Sequence, residues 1–152
     1  MRKSPPLLMG FLLLAACTPR TYNSASYTLR DQRFCVPARA IPGMGTPSHL
    51  DGLDVEIGRR PLGAGEGVFL ASYEKPRDAP GAAYRLSLLT YTYQGADSYT
   101  SVSYTLDLRG KLTRLPSGGF TGRFHGSLPS AIGQQGSVRG SFKVAAPKHR
   151  KH

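Results

Sequence analysis

No stretch of this chain places apolar residues at helical spacing, whereas a period of two recurs along most of its length. Successive strand side chains point to opposite faces, so this period marks strands with one face buried. In Ser137–Val144, Val138, Gly140, Phe142 and Val144 share one parity, and Ser137, Arg139, Ser141 and Lys143 the other. Thr100–Arg109 alternates in the same way, with Val102, Tyr104, Leu106 and Leu108 on one face. In Leu53–Ile57, Asp54 and Glu56 oppose Leu53, Val55 and Ile57, which is the pattern of a solvated outer face. Tyr84–Tyr93 is apolar at both parities (Leu86, Leu88, Leu89, Tyr91), which predicts a central strand. Val68–Tyr73, Phe120–His125 and Tyr27–Val36 complete a set of about seven.

Turn signals separate these runs: Arg60-Pro61-Leu62-Gly63, Ala79-Pro80-Gly81, Gln94-Gly95-Ala96-Asp97, Pro116-Ser117-Gly118-Gly119 and Gly133-Gln134-Gln135-Gly136. Ala38–Leu50, with Pro42, Gly43, Gly45 and Pro47, reads as a long irregular loop. The expected fold is all-β, a single antiparallel β-sandwich or a small β-barrel of about seven strands. A length of 152 residues suits one domain. Gly 18 and Pro 12 stay below the share of a low-complexity polymer, while 8 Tyr and 6 Phe suffice for a modest core. Collagen, coiled coil, polytopic membrane protein and disulfide-dense mini-protein are excluded.

The N-terminus follows a different logic. Arg2 and Lys3 precede a short apolar run from Leu7 to Ala16. A spanning helix needs about 20 such residues, so the run reads as the core of an export signal. Leu14-Ala15-Ala16-Cys17 resembles the lipobox of bacterial lipoproteins. The resemblance implies recognition of Leu14, Ala15 and Ala16 by signal peptidase II, cleavage before Cys17, and acylation of the Cys17 thiol and new amino terminus. A thiolate is the nucleophile a thioether requires, and two or more acyl chains anchor a domain stably. Thr18 stands where an Asp would resemble the inner-membrane retention signal, so the resemblance implies the outer membrane, facing the periplasm. The expected organisation is signal peptide 1–16, lipidated tether 17–26, β-rich domain 27–146 and basic tail 147–152.

Charge is distributed unevenly. Cys17 to Leu108 holds 9 cations and 9 acids, whereas Arg109 to His152 holds 9 cations and no acid. Alternation places Arg139 and Lys143 together on one outer face, with Arg109 and Lys111 sharing a parity of their own. Arg123 and His125 add to this set, and Lys148, Arg150 and Lys151 close the chain. Such a surface attracts anions at long range: an anionic envelope polymer, a lipid headgroup or an acidic protein. No nucleic-acid motif is present. His149 and His152 lie among cations, which repel a divalent metal, and no cofactor is expected.

With Cys17 acylated, Cys35 is the remaining thiol, expected as a small buried hydrophobe within Phe34-Cys35-Val36, with an intermolecular disulfide as the alternative. Gly63-Ala64-Gly65-Glu66-Gly67 precedes a strand, unlike a phosphate-binding loop, and reads as a turn. The leading expectation is therefore a non-catalytic binding or structural module. One alternative is a small-molecule or lipid-binding barrel with a cavity near Tyr91 or Tyr104. Another is a thiol enzyme using Cys35 and His49, the latter oriented by Asp51.

Overall fold

The computed structural model describes residues 22–44, 46–104, 106–127 and 136–147. The chain forms ten strands: β1 (Ser24–Leu29), β2 (Gln32–Pro42), β3 (Leu50–Ile57), β4 (Gly67–Pro76), β5 (Tyr84–Gln94), β6 (Tyr99–Tyr104), β7 (Leu106–Arg109), β8 (Lys111–Arg114), β9 (Phe120–Ser127) and β10 (Ser137–Val144). All pairings are antiparallel. From β1 to β5 each strand pairs with the next. The segment β6–β7–β8 lies between β5 and β9, with β6 and β8 on β5 and with β7 and β8 on β9. Strand β10 then pairs with both β9 and β1, so the sheet closes into a barrel. Strand β6 stays off this ring path and pairs with β5 alone among the described residues.

The inward parity runs as the alternation requires. Val55, Ile57, Phe69, Ala71, Tyr73, Leu89, Phe142 and Val144 are buried. Phe69 sits at the centre, its ring 4.5 Å from Tyr91, 5.0 Å from Tyr27, 6.0 Å from Tyr104 and 6.1 Å from Phe124. Glycines make room for the neighbouring rings. Phe142 pairs across strands with Gly122, and Phe124 with Gly140. A methyl group at either glycine would lie about 2.5 Å or less from the opposing ring, closer than packed carbons approach.

Five local expectations need correction. Tyr27–Val36 is a hairpin rather than one strand, turned at Arg30 and Asp31 with φ of 50° and 61°. Such a two-residue turn normally carries Asn or Gly, and neither is present to mark it. Strand β1 begins at Ser24, inside the segment read as tether, and β2 runs on to Pro42, shortening the irregular loop to 43–49. The two apolar parities of β5 arise from a bulge: Tyr73 faces Leu86 but Ser72 faces Leu88, so Leu86 and Leu89 both point inward while Leu88 is exposed. Asp54 and Glu56 are 5% and 6% exposed rather than solvated. The 43–49 segment folds over β3: Gly43 N–H donates to the Gly52 carbonyl at 3.1 Å, and Met44 N–H to Asp54 Oδ2 at 3.1 Å. Glu56 is held by Arg39 Nε and Arg60 Nε, each at 2.8 Å.

Burial raises the phenol pKa of Tyr27 and Tyr104 to about 12, with Tyr91 adding to each. It also raises Tyr84 to about 12, where the hydrogen bond to Asp51 adds to the shift. Unfolded phenols ionise near 10. The folded chain therefore holds these protons more tightly, and stability is full below about pH 10 and falls as pH rises toward 12. Thermal midpoints measured from pH 8 to 12 should be level at first and then drop; a flat profile to pH 12 would contradict this burial.

Candidate basic groove

Strand register assembles the outer face. Arg33 on β2 pairs with Thr28 on β1, Thr28 with Arg139 on β10, Arg139 with His125 on β9, and His125 with Arg109 on β7. These five outward residues form one row across five neighbouring strands. Two residues along, Ser26, Ser141 and Arg123 form a second row, and the Leu112–Gly122 pairing sets Lys111 beside Arg123. Together the rows line an open groove of about 980 Å³ that contains Arg33, Arg109, Lys111, Arg123 and Arg139. Ser26, Thr28, Thr121 and Ser141 contribute hydroxyls, and no acid lines it among the described residues.

Arg109, Lys111, Arg123 and Arg139 are exposed, and among the described residues none has an ion-pair partner. Like charges on facing strand positions repel, a cost that a bound anion offsets. The acids Asp54 and Glu56 lie on β3, four positions round the ring from β9.

Four of the eight expected cations, Arg109, Lys111, Arg123 and Arg139, converge here. Lys143 does not line the groove; its ammonium lies 4.5 Å from the Tyr22 ring centroid. Lys148, Arg150 and Lys151 lie outside the described residues, as do Leu14, Ala15, Ala16 and Cys17. Arg33 is an addition. It belongs to the charge-balanced part of the chain, and only closure of β10 onto β1 brings it alongside Arg139.

Tyr73 ties the groove to the core. Its buried hydroxyl donates to the Arg123 carbonyl at 3.0 Å, and burial raises its phenol pKa well above the usual range. Tyr73→Phe should lower stability by about 1–2 kcal/mol by leaving that carbonyl short of a donor, read as a shift in the urea midpoint. An unchanged midpoint would remove Tyr73 from this role.

The alternative sites do not assemble. Cys35 is exposed on β2 and is disulfide-bonded rather than a free, buried thiol. It sits seven residues from Pro42, about 23 Å along the strand, whereas His49 adjoins the far end of β2. Asp51 does not orient His49: its Oδ2 accepts from Tyr84 at 2.6 Å and lies 3.9 Å from Lys75 Nζ. These three residues line a smaller opening of about 430 Å³ at one barrel end, with Leu112 and Phe120. The interior space beside Tyr91 and Tyr104 is occupied by the Phe69 ring. Among the described residues no group of His, Cys, Asp or Glu could hold a metal ion.

Comparison with protein-family models, curated proteins and solved structures gives no match to this chain.

Proposed function

We propose that this chain is a lipid-anchored lipoprotein of the bacterial outer membrane, facing the periplasm, whose barrel is a non-catalytic module for an anionic envelope partner. The observation that carries the binding half is the groove in which, among the described residues, Arg109, Lys111, Arg123 and Arg139 stand together with no acid in the lining and no ion-pair partner. Exposed guanidinium and ammonium groups on neighbouring strands attract anions and raise their association rate. The anchor half rests on the lipobox resemblance of Leu14-Ala15-Ala16-Cys17. Acylation holds the barrel at a surface rich in phosphate, where its groove meets anions at high local concentration.

Cells expressing the chain with an alkyne-bearing fatty acid should yield labelled protein, and Cys17→Ser should abolish the label. Full labelling of that variant would refute the anchor. One sulfur cannot form both a thioether and a disulfide, and in a chain of two cysteines the bonded state of Cys35 competes with acylation for Cys17; the lipoprotein reading therefore requires that labelled protein carry no Cys17–Cys35 bridge. A disulfide between these two cysteines in the labelled fraction would equally refute acylation at Cys17.

A further inference from the structure

Resting on that reading, we infer that the groove takes clustered phosphates on a saccharide, two or more within about one nanometre, as in a multiply phosphorylated glycan headgroup. Neighbouring strands lie about 4.8 Å apart and alternate residues about 6.8 Å apart along a strand. The backbones of Arg109, Lys111, Arg123 and Arg139, in their observed register, therefore fall within a patch about 12 Å across. Three of the four are arginines, whose planar forks match phosphate oxygens in pairs.

A single phosphate engages one or two of these cations and leaves the others repelling each other. Two phosphates at sugar spacing engage the whole cluster at once. The remaining lining fits a saccharide: Ser26, Thr28, Thr121 and Ser141 offer hydroxyls, and about 980 Å³ is room for a ligand larger than the phosphates themselves. A single-stranded nucleic acid would need rings to stack on. Tyr27 and Phe124 instead pack their rings against Phe69 inside the barrel, which leaves the His125 imidazole as the one outward ring among the described lining residues.

The test is calorimetric titration of the full-length chain in neutral detergent with glucose 1,6-bisphosphate, glucose 6-phosphate and polyglutamate. The bisphosphate should bind at least about tenfold tighter than the monophosphate, as expected for one further charge-assisted contact. Arg109→Gln and Arg139→Gln should each remove most of that difference, while Lys143→Gln, outside the groove, should leave it intact. Equal affinity for the two sugars, or a preference that survives both arginine variants, would overturn the inference. Polyglutamate binding that needs the groove arginines, with no bisphosphate binding, would overturn it while leaving the proposed anionic partner standing. If neither ligand binds, both readings fall.

Discussion

Phe69→Ala should cost the fold about 3–5 kcal/mol, the range for truncating a fully buried phenylalanine. Such a loss approaches the whole stability of many single domains. Phe69 is completely buried, and its ring contacts Tyr27, Tyr91, Tyr104 and Phe124, which come from β1, β5, β6 and β9. Removing it leaves a void that those rings cannot close without leaving their own positions, because glycines already set where they lie. Urea denaturation should show a much lower midpoint, or a chain unfolded in buffer. Phe69→Leu keeps much of the volume and should cost markedly less. Equal losses in the two variants, or a small loss in Phe69→Ala, would contradict a barrel filled around this ring.

The second large effect concerns binding. Replacing Arg109, Lys111, Arg123 and Arg139 together by glutamine removes four exposed charges, each worth about 0.2–1 kcal/mol against an anion. Affinity for polyglutamate should fall roughly four- to thousandfold at low salt, and the difference should shrink as salt screens the native protein. These side chains are exposed and make no ion pair among the described residues, so the thermal midpoint should hold or rise as repulsion is relieved. Unchanged affinity in the folded variant would move anion binding away from the groove.

The parts of this design visible in the amino-acid order are those governed by local alternation. Ser137–Val144 forms a strand with the bounds its pattern suggests, and Arg139 faces outward because Val138 and Phe142 face inward. The outward positions of Arg109, Lys111 and Arg123 follow from the same rule. What alternation cannot carry is anything set by a partner strand. The bulge opposite Ser72 and Tyr73 reverses parity within β5 and makes one-sided burial look two-sided. The Arg30–Asp31 turn lacks the glycine or asparagine that would announce positive φ. Asp54 is buried under a segment folding back over it and Glu56 under Arg39 and Arg60, although their alternation is that of a solvated face. Arg33 enters the basic row through ring closure, a contact between the two ends of the domain.

Amide chemical-shift mapping of the isotopically labelled full-length chain in neutral detergent, titrated with polyglutamate, tests the central claim most directly. The account predicts saturable shifts at Arg109, Lys111, Arg123, His125 and Arg139, with β3 and β4 unmoved. Shifts confined to β3 and β4, or a response that leaves these five residues in place, would contradict it.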